Sequence, residues 1–369
     1  MSSYIFQLAN GNNEAELRGI LENNPIIGKI SIVFKRDPNY FWAAKVGSRF
    51  NQTIIVKDKK INKIVGLGNR SIYSAYLNGK VCHLGYLSNL RINNNYRNSL
   101  LLSRGYQYLK SLHQDKKTPI YITTIIEDNK LANNLLTSQR AGLPTYHKFG
   151  TYHTLVVPTS GKKRKNKGDF EIKRGSKEKL DEIIDCIHRN GSQKQFYPFF
   201  NKEDFISGNE ILRDFKIEDF YLALKKDKII GVVAKWDQSN FKQTIITSYQ
   251  NQMKFTKPFY NLYARVLGYP PLPKPNSSLS YFYLSFIAVN SNSPQIFRGL
   301  LQAIYNDTDC SKYTYFLVGL HTRDPLLKVV KEHWHITYKS YLYIVYWKDG
   351  EEIFKELDNR IPYLEISML

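Results

Sequence analysis

Cysteine is scarce in this 369-residue chain, and Cys82, Cys186 and Cys310 are odd in number and far apart. That excludes a disulfide framework and fits no zinc-ligand spacing. No uninterrupted apolar run approaches the roughly 18 residues that cross a bilayer, so no membrane partner is expected. The opening residues, Met1 to Leu17, lack a basic stretch followed by an apolar one, so a cytoplasmic setting is expected rather than secretion. His321, His333 and His335 lie near one another in sequence, but no carboxylate motif completes a ligand set, and no metal is expected. Acidic residues are outnumbered 32 to 53 by Lys and Arg, which gives a formal charge of +21. Such a field attracts nucleic acid, acidic membrane surfaces or nucleotide phosphates. The chain is rich in Lys, Asn, Ile and Tyr together, a mixture that an AT-rich coding sequence produces by itself. The basic surface also lacks the interleaved aromatics of a stacking platform, which disfavours nucleic acid.

What the chain does have is enough apolar residues, 42%, to build packed cores, and more length than one core usually carries. The one dense basic cluster, Lys162, Lys163, Arg164, Lys165 and Lys167, falls in a stretch with no apolar residue after Pro158. It reads as a linker at residues 158–169 between halves spanning 1–157 and 170–369.

Both halves show one order of elements. Lys63–Leu67 matches Lys228–Val232, and Leu87–Asn95 matches Leu284–Asn292. Asn78-Gly79 between two strand-like runs signals a hairpin. The run from Asp227 to Val233 is expected to start the equivalent hairpin, with an insertion carrying Pro270, Pro271, Pro273 and Pro275 before the strand Tyr281–Val289. A helix then follows in each half, over 98–112 and 295–305, with Leu101, Leu102, Tyr106 and Leu109 at helical spacing on the first. A strand (120–126; 313–318), a second helix (130–140; 324–332) and a closing strand (152–157; 340–347) complete both. The repeated order predicts an internal duplication. Phe196–Phe200 and Tyr281–Tyr283 are aromatic groups of the second half, read as core or as substrate-shaping surface.

The segment Leu90-Arg-Ile-Asn-Asn-Asn-Tyr-Arg97-Asn-Ser-Leu-Leu-Leu102 is a strand, a short loop and a helix start. It resembles the cofactor motif of the GNAT acyltransferase superfamily, in which Arg/Gln-x-x-Gly-x-Gly/Ala opens a helix. Asn129-Lys-Leu-Ala132-Asn-Asn-Leu135, followed by Gly142-Leu143, resembles that superfamily's later Asn-x-x-Ala-x-x-Leu helix and its Gly-Phe. The element order over about residues 26–157 fits as well. The resemblance implies an α/β (α+β) protein of tandem GNAT folds, each a mixed, mostly antiparallel sheet flanked by helices. It implies acetyl-CoA or another acyl-CoA as co-substrate and transfer of an acyl group, acetyl first among the candidates, to a small-molecule or peptide amine. It places the cofactor at Leu90, Ile92, Arg97, Asn98, Ser99, Leu100, Leu101, Leu102 and Asn129.

The chemistry of such a site is general. A helix start offers unpaired N–H groups and the positive end of a dipole to pyrophosphate, and Arg97 would add a fixed cation. Strand backbone at Leu90 and Ile92 would pair with pantetheine amides. The departures from the motif are specific. Leu100 and Leu102 occupy its glycine positions, and Leu136 or Ser138 stands where a thiolate-protonating Tyr is expected. Tyr146 is the substitute acid proposed here, with His147, His83 and Tyr86 as further candidates for proton transfer. The second half has no glycine and no cation in its loop before Arg298, so it is the degenerate half. The competing reading is a tandem GNAT fold that binds CoA or a protein partner without catalysis.

Overall fold

The computed structural model describes residues 3–28, 30–96, 99–140, 142–160, 168–206, 208, 210–266 and 268–369. Arg97, Asn98 and the basic run Lys162–Lys167 lie outside the described residues.

The first half comprises β1 (Tyr4–Leu8), α1 (Glu14–Asn23), β2 (Ile30–Lys35), α2 (Tyr40–Lys45), β3 (Phe50–Asp58), β4 (Lys63–Leu77) and β5 (Lys80–Ile92). It continues through α3 (Ser99–His113), β6 (Ile120–Ile126), α4 (Lys130–Leu136) and β7 (Thr145–Pro158). The second half opens with β8 (Glu171–Arg174), α5 (Leu180–Gly191), β9 (Lys194–Gln195), α6 (Lys202–Ile206), β10 (Phe220–Lys225) and β11 (Lys228–Trp236). Then come β12 (Gln243–Tyr249), α7 (Asn251–Val266), β13 (Ser277–Ser278), β14 (Tyr281–Val289), α8 (Pro294–Asp307) and β15 (Tyr315–His321). It closes with α9 (Leu326–Val330), β16 (Ile336–Tyr346), α10 (Glu351–Lys355) and β17 (Ile361–Pro362).

Twelve of these strands form one sheet in the order β1-β3-β4-β5-β6-β16-β7-β15-β14-β11-β10-β8. The order is palindromic in kind: each half supplies five strands outward from the centre, and the two closing strands are exchanged. β16 pairs β6 from Ser340↔Ile126 to Tyr346↔Ile120, and β7 pairs β15 from Pro158↔Tyr315 to Tyr152↔His321. The two sheets expected of two halves are therefore fused, because each closing strand finds its outer partner in the other half.

The duplication extends to the irregularities. β4 slips against β3 between Ile64 and Gly66, and β11 slips against β10 between Ile229 and Gly231, the matched positions. Asn89 (φ 53°) and Phe286 (φ 55°) are left-handed at matched positions of β5 and β14, each beside a register shift against β4 or β11. A β-bulge bends its strand and re-aims its backbone groups, so both halves carry the same device. Asn tolerates the left-handed region better than Phe, for which it is costly.

The expected β4–β5 hairpin forms, with Asn78 (φ 51°) and Gly79 (φ 80°) both left-handed as its tight turn requires. The expected counterpart differs. β11 closes a hairpin with β10 through Lys226-Asp227 instead of opening one, and its other neighbour, β14, arrives only after the insertion. Part of that insertion pairs back on the first half: β12 joins β2 and β13 in a second sheet. The fold also begins earlier than residue 26, since β1 adds to the edge at β3.

Candidate functional site

β5 and β6 are parallel neighbours only at Gly85↔Tyr121 and Tyr86↔Ile122. Thr123 Oγ1 still donates to the Leu87 carbonyl (2.7 Å), and past the bulge at Asn89 the strands part. α3 closes one side of this wedge. Its Leu101, Leu102, Tyr106 and Leu109 are all buried, at helical spacing, against Leu87, Ile125 and Val56. The wedge opens into a cavity of about 480 Å³ that also reaches β2, β12, β14 and the chain's last residues.

The cavity has two characters. Around α3 and α4 its wall is apolar, with Ile54, Leu102, Leu109, Ile125 and Leu136. Toward the second half it is polar. Tyr40 donates to Asn69 Oδ1 (2.8 Å), and the hydroxyls of Thr244, Tyr281 and Tyr283 form a chain at 2.9 and 3.1 Å. Two buried basic side chains line it. Arg36 donates to the Lys35 carbonyl (2.8 Å) and lies over the Phe34 ring, while Lys242 donates to the Ser367 carbonyl (2.8 Å) and to a main-chain oxygen of Leu369 (3.1 Å). Burial, reinforced by the charge of Arg36, holds the Lys242 ammonium well below the usual lysine range.

Of the residues expected to hold a cofactor, Leu90, Ile92, Leu101, Leu102 and Asn129 line this cavity. α3 begins at Ser99, so the anticipated helix start is in place. The leucines at the glycine positions divide. Leu100 points to solvent, 72% exposed, while Leu102 is packed inward. Asn129 caps α4, its Oδ1 accepting from the Ala132 amide (3.1 Å).

The candidates for proton transfer also separate. Tyr146 and Tyr86 line the cavity. The Tyr146 hydroxyl is paired with that of Tyr106 beneath α3, and burial, with the Tyr106 phenol beside it, pushes its pKa well above the ordinary value. Tyr86 is pushed up to about 12 by burial. His83 is exposed and meets the Lys117 carbonyl through Nδ1 (3.2 Å), and His147 packs at a tilt on Phe354, 4.3 Å between centroids; neither lines the cavity. Phe196, Tyr197 and Phe200 are core, whereas Tyr281 and Tyr283 face the cavity. The described residues contain no cluster of His, Cys, Asp or Glu fit to hold a metal. Arg36 and Lys242 were missed from the sequence because no motif marks them. An isolated lysine or arginine normally signals surface.

The second half repeats the wedge and fills it. β14 and β15 pair only from Tyr281↔Tyr315 to Tyr283↔Leu317 and then diverge around the bulge at Phe286. Here the Phe286 amide donates to Glu365 Oε2 (2.7 Å) and the Ile287 amide to the Tyr363 hydroxyl (3.1 Å). Glu365 also accepts from Tyr363 (2.8 Å) and Ser367 (2.9 Å), all of it buried.

No family sequence profile and no curated protein sequence matches the chain. Solved structures do. N-myristoyltransferase of Saccharomyces cerevisiae with bound myristoyl-CoA is similar over 94% of this chain and 83% of that one, at a TM-score of 0.59 and 14% identity. The chain has the GNAT fold. A GCN5-related N-acetyltransferase from Sphaerobacter thermophilus matches over 100% of this chain and 99% of its own (TM-score 0.53, 7% identity). A GCN5-related glucosamine N-acetyltransferase region of a fungal multi-domain β-N-acetylglucosaminidase gives a TM-score of 0.63 over 94% of this chain and 38% of that chain, at 10% identity. With this GNAT fold, the bulge of β5, the start of α3 and the cavity between them occupy one end of the first half's sheet.

Proposed function

We propose that the protein is an acyl-CoA-dependent N-acyltransferase, with residues 1–157 holding the acyl-CoA and residues 170–369 completing the acceptor side. The observation that carries this reading is the pair of matched bulges. In the second half the two amides at the bulge point into the wedge and are met by an oxygen of Glu365 and one of Tyr363. Asn89 and Leu90, at the matched positions, line the open cavity, and their amides are assigned to the thioester oxygen.

The amine nitrogen, unprotonated, attacks the thioester carbonyl carbon, and the developing oxyanion meets those backbone donors. The C–S bond then breaks, the thiolate takes a proton from a nearby acid, and the attacking nitrogen releases one as the amide forms, which restores that acid. Tyr146 is the proposed donor, since a phenol raised by burial stays protonated at neutral pH. The phosphates are assigned to the start of α3, and Arg97, which precedes it in sequence, is assigned to them as a cation. Arg97→Glu is expected to weaken CoA binding by about 1–3 kcal/mol, and unchanged affinity would remove it from the site.

Acetyl is the smallest acyl group the reading allows. A cavity of about 480 Å³ with an apolar wall under α3 supports a longer one, in keeping with the myristoyl-CoA bound to the yeast structure. Calorimetric titration with CoA thioesters of increasing chain length, followed by mass analysis of products from a panel of amines and peptides, tests both parts. Affinity that rises with chain length selects the longer acyl group. Tight binding with no product from any amine would favour a CoA-binding protein without catalysis.

A further inference from the structure

α7 carries two apolar stripes. One is used: Ala264 is buried, the Tyr260 ring packs on Trp334 (5.7 Å), and Asn261 Oδ1 accepts from the Leu272 amide (2.8 Å). The other is not. Phe255 (77% exposed), Phe259 (77%), Leu262 (64%) and Val266 (76%) recur at steps of four, three and four, with Tyr263 (61%) beside them. Those steps put them on one face, opposite the packed one. Soluble surfaces rarely leave so many large apolar side chains side by side.

The charges around the stripe are of one sign. Residues 238–306 contain no Asp or Glu, and α7 itself carries Lys254, Lys257 and Arg265, followed by Lys274. We propose that α7 is an interfacial helix that seats the protein on an anionic lipid bilayer surface, its apolar face sunk among the acyl chains and its cations at the headgroups. An apolar face flanked by Lys and Arg is what such a surface binds, and each cation near anionic headgroups adds to the attraction. A second copy of the chain fits worse. It would set Lys254, Lys257 and Arg265 near their own counterparts, on molecules that each carry a charge of +21. That no helix among the described residues is long and apolar enough to cross a membrane does not bear on this, because a helix of 16 residues lying in the interface need not cross.

The placement also serves the cavity. The carbonyl of Pro273 accepts from Lys257 Nζ (2.7 Å) and from the Tyr249 hydroxyl (2.8 Å), and Leu272 and Pro273 line the cavity. A seated α7 therefore brings one wall of the cavity to the bilayer. The proposal does not depend on acyl transfer, since it rests on α7 alone.

Flotation of the full chain with phosphatidylcholine vesicles, with and without phosphatidylserine, tests it. The protein should float with the mixed vesicles and respond to salt, because the Coulombic part is screened. Replacing Phe255, Phe259 and Leu262 together with Ser should reduce the bound fraction more than tenfold with an unchanged melting curve, since these side chains pack against nothing inside. Replacing Lys254 and Arg265 with Ala should lower the preference for phosphatidylserine several-fold and leave weak binding to phosphatidylcholine. Wild-type protein that stays at the bottom of the gradient with both vesicles would overturn the proposal. So would a triple variant that floats as well as wild type. A wild-type dimer in solution that the triple variant converts to monomer, with no flotation, would overturn it in favour of a contact between copies.

Discussion

Asn89 and Phe286 hold corresponding places in the two halves, in the same backbone conformation, where two strands begin to part. Around Asn89 the gap is a cavity. Around Phe286 it is packed with the chain's own Tyr363, Glu365, Phe200, Phe205, Phe215 and Trp236. The backbone device is common to both, so what separates the open half from the filled one is what occupies the opening. One carboxylate and one phenol satisfy the amides at the second bulge, and no such side chains fill the first wedge. The repeated order of elements thus gives two wedges, and the second is filled by the segment that follows β16.

The largest effect should come from emptying the filled wedge. Glu365→Ala leaves the buried Phe286 amide and the Tyr363 hydroxyl without their acceptor, and should cost about 2–4 kcal/mol of stability, read as a shift in the urea midpoint. Glu365→Gln keeps the shape and should cost less. It should also remove a pH dependence. Burial pushes the Glu365 carboxyl above the ordinary glutamate range. A carboxyl raised on folding binds its proton more tightly in the folded state, so its contribution is complete below the unfolded pKa and is lost as pH rises through the folded one. Wild type should therefore lose stability over that window relative to the Gln variant, and parallel pH profiles would refute the assignment.

Filling the open wedge is the converse experiment. Gly105 lines the cavity from α3, and a Cβ there would come no closer than 3.5 Å to Phe6, so the position has room at its base. Gly105→Phe should abolish binding of long-chain acyl-CoA, by roughly 100-fold or more, while leaving CoA itself less affected. Equal losses for both would place the acyl chain elsewhere. A subtler comparison concerns Tyr146, which has no part in the filled wedge. Tyr146→Phe removes only the hydroxyl and should slow single-turnover acyl transfer about 100-fold with CoA affinity intact. An unchanged rate would leave the Tyr106–Tyr146 pair a purely structural contact.

Much of this architecture is legible in the amino-acid order. The strands Ile120–Ile126 and Tyr281–Val289 are found where their apolar runs place them, and Asn78-Gly79 forms the tight turn that its chemistry demands. Local periodicity and turn chemistry suffice for such elements. The exchange of β7 and β16 is not legible, because register between strands some two hundred residues apart leaves no local signature. Nor is the fate of the second wedge: Glu365 reads as an ordinary charged residue until its partners at Phe286 and Tyr363 are known. α7 was hidden by Pro258 and by the proline-rich stretch after it, and exposure of its outer face is a tertiary fact. Of the cavity lining, Leu90, Ile92, Leu101, Leu102 and Asn129 lie in stretches that motif spacing singles out, whereas Arg36 and Lys242 reach the cavity only through the pairing of β2 with β12.

The exchanged closing strands also set a clock for biosynthesis. When β6 leaves the ribosome its outer edge has no partner, because β16 follows roughly 200 residues later, about 10–40 s at ~5–20 residues per second. Through that interval the nascent first half presents Ile120–Ile126, an unpaired and strongly apolar strand, to everything around it. Its protection must come from a chaperone or from provisional pairing with β7, the nearest strand already made. Where β7 is that provisional partner, it must leave the edge to admit β16, a strand replacement inside a sheet already formed.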